Sequence, residues 1–267
     1  MRNFALPHFL PSILLAILLT LLTACGGEES AETKEADAGI QLAQAQEFLD
    51  KKDYESAGKI IKEYVAAHPQ DLAGLRLSAH FSLIQNRVND AIAIAEQALE
   101  IDSERGDFLA IKGRAYYQVS QFDNALKFCR EALKKDPTVG LAYLVIGEIF
   151  LRQGKIQESI PILKEAVQHD PKSVEGLNKL ASAYIKVKDY QSAREYLERA
   201  QQLDNEDAGV YFNLALVYDE MNDGENAVKH IQESLRLYTD QENKNWANKA
   251  RQTQGILAKK YNIRLTS

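Results

Sequence analysis

The sequence predicts an all-α chain, a solenoid of six stacked helical hairpins closed by a C-terminal helix. Three observations predict it. A 34-residue period runs without insertion through 38–71, 72–105, 106–139, 140–173, 174–207 and 208–241. Fixed positions of that period hold residues of one kind. Within each half-repeat the apolar residues recur every three or four positions, which is helical spacing.

The chain opens with one side-chain charge, Arg2, then the apolar run Phe9–Leu22. That run is short for a spanning helix and has the length of a secretory signal core. It ends in Leu22-Thr23-Ala24-Cys25. This tetrapeptide resembles the lipobox of bacterial lipoproteins. The resemblance implies cleavage before Cys25, lipid attachment at Cys25 and a membrane-held mature chain. Gly26, in place of Asp, implies the outer membrane, facing the periplasm. Residues 25–37 are small and acidic and are expected to form a flexible tether.

The repeats follow. Position eight holds Ala45, Ala79, Gly113, Gly147, Ala181 and Ala215; position twenty holds Ala57, Ala91, Ala125, Ser159, Ala193 and Ala227. Small residues there let two helices approach closely. Position eleven is aromatic in five copies, Phe48, Tyr116, Phe150, Tyr184 and Tyr218, with Ser82 the exception. These rings are expected to fill space between successive hairpins. Pro69, Ser103, Pro137, Pro171, Asn205 and Thr239 mark the junctions. The pattern resembles the tetratricopeptide repeat, which implies a right-handed superhelix of helix pairs. Helix A then covers positions 1–14 and helix B positions 17–30. Tyr64 is oversized for position twenty-seven, so its contact is expected to be irregular. Ser120-Gln-Phe-Asp123 reads as a capping box. Residues 242–267 are expected to cover the last hairpin as a capping helix.

Composition narrows the function. A hydrophobic fraction of 45% excludes wholesale disorder, and a net charge of −6 argues against nucleic-acid binding. Two cysteines cannot build a disulfide scaffold. The histidines fall at unrelated repeat positions, and no metal, nucleotide or nucleophile motif occurs. Cys129 occupies a core position. The reading is a non-enzyme with no cofactor, no metal and no small-molecule substrate.

In the tetratricopeptide family, partners usually bind the concave face lined by the A helices. The inward positions here are Arg76, His80, Arg114, Tyr117, Gln118, Glu148, Arg152, Asn178, Ser182, Lys186 and Phe212. Arg76, Arg114, Arg152 and Lys186 form a cationic row in an acidic protein. The expected partner is a peptide with acidic and apolar side chains. The function expected is a membrane-anchored adaptor in assembly of an envelope complex, of type IV pilus, secretin or exopolysaccharide-secretion type. The alternatives are a self-associating structural lipoprotein or a recruiter of cell-wall hydrolases.

Overall fold

The structure, a computed structural model, describes residues 31–265. The apolar run, the lipobox and Cys25 lie outside the described residues. Among the described residues there are thirteen helices and no strand. The helices are α1 (Ala31–Asp50), α2 (Tyr54–Ala67), α3 (Leu72–Ile84), α4 (Val88–Ile101), α5 (Gly106–Gln118), α6 (Phe122–Lys135) and α7 (Gly140–Arg152). They continue as α8 (Ile156–His169), α9 (Val174–Lys186), α10 (Tyr190–Leu203), α11 (Ala208–Glu220), α12 (Gly224–Asp240) and α13 (Lys244–Tyr261).

The chain divides at Ile60 into two compact units. The first contains α1 and the start of α2. Helix α1 begins at Ala31, so residues 31–37 are helical where a flexible tether was expected. Ala31-Glu-Thr-Lys-Glu-Ala-Asp37 is rich in good helix formers and carries no glycine or proline to stop a helix. Ala45 and Ala57 are fully buried.

The second unit holds the remaining helices as hairpins in the expected register. From α3 to α11, each A helix covers positions 1–13 and each B helix through α10 covers 17–30. Successive A helices touch one another, whereas among the described residues successive B helices make no comparable contact. The A helices therefore line the inner side of this unit.

One turn closes every A–B pair. Position fifteen is left-handed in all six copies: Lys52, Asn86, Ser120, Gly154, Lys188 and Asn222 have φ between 55° and 77°. The amide at position sixteen donates to the carbonyl at position eleven, as in Arg87 to Ser82 (2.8 Å) and Asp189 to Tyr184 (3.0 Å). This is a Schellman-type closure. It moves the cap by one residue: Ser120 is the left-handed residue, and Gln121 precedes α6 without a side-chain cap, so no capping box forms. Where position sixteen is aspartate, its side chain caps helix B, as Asp189 does on Ser192 N (3.1 Å).

Packing explains the small residues. A Cβ on Gly113 would lie 2.3 Å from Cys129 Sγ, and one on Gly147 would lie 2.5 Å from Leu163 Cδ2. Position eight thus faces position twenty-four across the hairpin. Cys129 is fully buried, and burial pushes its thiol up to about 12. Two position-eleven rings stack inside their own hairpins, whereas Tyr218 also reaches between hairpins as expected, packing on the preceding core and donating to Glu198 Oε1 at 3.2 Å. Tyr116 stacks on Phe128 at 5.3 Å and Tyr184 on Tyr196 at 5.7 Å. Position eleven lies one turn past position eight, on the stripe that already faces helix B.

The irregular Tyr64 contact is accommodated locally. Its ring occupies the space a Cβ on Gly74 would need, at 2.5 Å, and its hydroxyl donates to Asp71 Oδ2 at 2.9 Å. Helix α12 runs three residues beyond position thirty, and α13 packs on it. Ala247, Ala250 and Leu257 of α13 join the core of Phe212, Ala215, Ala227 and Ile231. The far end of α13 is fastened by Tyr261, whose ring lies over Gly224 and whose hydroxyl donates to the Asp219 carbonyl (3.0 Å).

Candidate peptide-binding surface

The inner surface is built from helix A positions that the hairpin core leaves free. At its centre stands Glu148 of α7, only 3% exposed. Its carboxylate receives the Arg114 guanidinium from α5, Lys179 Nζ from α9 at 2.6 Å and the Tyr117 hydroxyl at 3.4 Å. Arg114 also binds Glu175 of α9. Residues 34 apart meet here because the stack places equal repeat positions side by side. Burial disfavours a charged Arg114, but Glu175 and Glu148 outweigh it and raise the guanidinium above its usual range. Burial likewise opposes the Lys179 charge, and Glu148 overcomes it.

Tyr117 sits between two cations. The Arg114 and Arg152 guanidinium carbons lie 5.4 and 5.1 Å from its ring centre, and Arg152 Nε donates to its hydroxyl at 2.8 Å. Burial, then Glu148, pushes the phenol above its usual range. Tyr117 is 9% exposed. It orders the cluster and presents little surface to a ligand.

The expected cationic row is thereby revised. Arg114 is held between two carboxylates and is an internal tie. Arg76, Arg152 and Lys186 are exposed, and none meets a carboxylate among the described residues. Lys179, which the repeat positions alone did not select, adds a partly exposed cation beside Arg152. His80 is partly buried near Arg76, Asp107 and Arg114, and burial, then Arg76, drives its imidazole down to about 4. It is neutral at pH 7.

The polar members tie repeats together. Gln118 Nε2 donates to the Leu83 carbonyl at 3.1 Å. Asn213 of α11 donates to Asn178 Oδ1 (2.6 Å) and Ser182 Oγ (3.3 Å). Asn213 and Glu175 were missed in the sequence because only their cross-repeat partners give them a role. Phe212 does not line the surface. It is 5% exposed under α13, with the Trp246 ring edge-on at 5.6 Å and Lys249 Nζ 5.1 Å from its centre. Helix α13 occupies the place of a next A helix and covers it.

Family comparison matches residues 76–212, a little over half of the chain, to the description "Psidin, N-terminal TPR repeats region". Residues 42–106 and 185–248 each match "Tetratricopeptide repeat". No curated protein sequence matches the chain. Among solved structures, a chain of the APC/C hetero-tetramer Cut9–Hcn1 is similar with a TM-score of 0.66 at 16% identity, covering 82% of this chain and 46% of that one. Human IFIT1 is similar with a TM-score of 0.59 at 18% identity, covering 74% and 50%. Pseudomonas aeruginosa pilF is similar with a TM-score of 0.55 at 16% identity, covering 77% and 93%. The chain thus spans about half the length of the first two, and at these identities the likeness is one of fold. Three family matches along the register, on a fold of stacked αα-hairpins, make this chain a member of the tetratricopeptide repeat family.

Proposed function

We propose that this chain is a membrane-tethered, non-catalytic adaptor that grips an acidic, partly apolar peptide segment on the A helices of repeats 2 to 5. The repeat fold is typically a protein-interaction scaffold. The observation that carries the ligand chemistry is the set of exposed cations, Arg76, Arg152 and Lys186, on positions that core packing does not dictate. Counting Arg114 and Lys179 as well, five cations face three carboxylates, Asp107, Glu148 and Glu175. Partly buried Leu151 and Ile185 supply apolar contact beside them. The Leu22-Thr23-Ala24-Cys25 signal supports a lipid tether and an outer-membrane site facing the periplasm. In that setting the adaptor serves assembly of an envelope complex of pilus, secretin or exopolysaccharide-secretion type.

Two experiments test this. Arg76→Glu and Lys186→Glu together leave the Glu148 cluster intact. Against a peptide library varied in charge and apolarity, the native chain selects acidic–apolar members and the double variant loses them with unchanged melting. Selection of basic peptides, or equal binding by the variant, refutes the groove. For the tether, Cys25→Ser should release the protein from the membrane fraction; continued sedimentation with membranes refutes the lipid anchor.

A further inference from the structure

Residues 244–265 carry six cations, Lys244, Lys249, Arg251, Lys259, Lys260 and Arg264, and no carboxylate. The whole chain is at −6, so the rest is strongly acidic and this segment stands apart. Internal pairing does not explain it. Among the described residues only Lys260 meets a carboxylate, Asp219 Oδ1 at 2.7 Å. Lys249 lies over the Trp246 ring at 4.2 Å, and Arg251 donates to Asn248 at 3.0 Å. Lys244, Lys259 and Arg264 are exposed and make no such contact among the described residues.

The same surface exposes apolar groups. Ile256 is 59% exposed, Trp246 40% and Leu265 37%. Ile256 stands three and four residues before Lys259 and Lys260 and seven after Lys249, so on the helix surface it is flanked by cations. The face opposite is already occupied, since Ala247, Ala250 and Leu257 pack into the core. Lys244, Asn248 and Arg251 border an open depression with Tyr238, Thr239 and Glu242. The remaining outward face is a diffuse positive surface with apolar tips. That pattern matches a plane of phosphates above acyl chains, where clustered Lys and Arg are attracted and Trp and Ile enter the boundary.

We propose that the outer face of α13 docks on an anionic lipid surface. This stands apart from the peptide surface of repeats 2 to 5 and from the Cys25 tether.

Trp246 is the one tryptophan of the chain and sits on this helix, so it reports directly. The full chain is mixed with vesicles of phosphatidylglycerol and phosphatidylcholine, or of phosphatidylcholine alone. Trp246 emission should shift to the blue and be quenched by brominated acyl chains on the anionic vesicles only, and salt should reverse both. The Lys244→Gln, Lys259→Gln, Arg264→Gln variant should bind on the order of a hundredfold more weakly, from about fivefold per cation, with its melting unchanged. Insertion of the Phe9–Leu22 run would hold the protein on both vesicle types alike, so the difference in Trp246 quenching between them is what counts. Equal Trp246 quenching on neutral vesicles overturns the proposal. So does unchanged affinity of the variant, or a response to soluble polyglutamate without one to anionic vesicles.

Discussion

Replacing Glu148 by glutamine preserves its shape and removes the charge that two half-buried cations share. Three groups converge on that carboxylate: Arg114, Lys179 at 2.6 Å and Tyr117 at 3.4 Å. Breaking one side of a buried ion pair costs about 3–5 kcal/mol, because the remaining charge stays desolvated. The low end applies here. Arg114 keeps Glu175, and the Lys179 side chain, 37% exposed, can regain water. A loss of about 3 kcal/mol corresponds to roughly 6–12 °C in Tm for a domain of this size. Circular dichroism melting measures the shift, and hydrogen exchange should show α5, α7 and α9 losing protection first, because a solenoid propagates damage mainly to neighbours. The triple variant Arg114→Leu, Glu148→Leu, Lys179→Leu removes the three paired charges; Glu175, which is 42% exposed, can hydrate, and the Tyr117 hydroxyl keeps Arg152 Nε at 2.8 Å. Such apolar replacements are often neutral or better, so it should melt above Glu148→Gln. A Glu148→Gln protein melting within 2 °C of the native chain (about 1 kcal/mol or less), or a triple variant less stable than the single, refutes a buried charge cluster.

Three further outcomes follow from the packing. Gly113→Ala places a methyl 2.3 Å from Cys129 Sγ and should cost about 1–3 kcal/mol; chemical denaturation should show Cys129→Ala recovering most of that loss, and independent effects would disprove the contact. Lys188 holds φ 62°, so Lys188→Gly should stabilise by about 0.5–1 kcal/mol, read as a raised urea midpoint. His80 lies at about 4 when folded against 6.5 for an ordinary imidazole. The unfolded chain then binds the proton first, so stability falls as pH drops from 6.5 to 4, by at most about 3 kcal/mol. Melting across that range should flatten in His80→Gln.

Much of the fold was legible because the period repeats six times. Any one copy is ambiguous, but Ala or Ser at position twenty in every copy leaves one geometry that buries all of them. The left-handed position fifteen was less legible. Lysine occupies it twice, and nothing in its side chain favours positive φ; the hairpin imposes the conformation. The candidate surface was legible in outline only. Helix A positions can be read from the register, but the state of each charge depends on a residue about one repeat away. Arg114 looks like a ligand contact until Glu148, 34 residues on, lies against it. Phe212 looks exposed until α13 supplies the next inner helix, a segment that has left the 34-residue register.

The neutralised centre also constrains the partner. With Arg114 and Lys179 held by Glu148, the available cations separate into Arg76 on α3 and the pair Arg152 and Lys186 on α7 and α9. Arg76 and Lys186 lie three A helices apart, and neighbouring packed helices are about 8–10 Å between axes. The two ends are therefore roughly 25–30 Å apart along the inner surface. An extended peptide advances at most about 3.3–3.6 Å per residue, so eight or nine residues reach from one end to the other. A helical segment rises about 1.5 Å per residue and would need nearly twenty. Between the ends the surface offers Gln118 and the paired Arg114 of α5, which reward polar or small groups more than charge. A partner that engages both ends therefore carries two acidic clusters with a less charged spacer, and a single compact acidic group engages only the α7–α9 end.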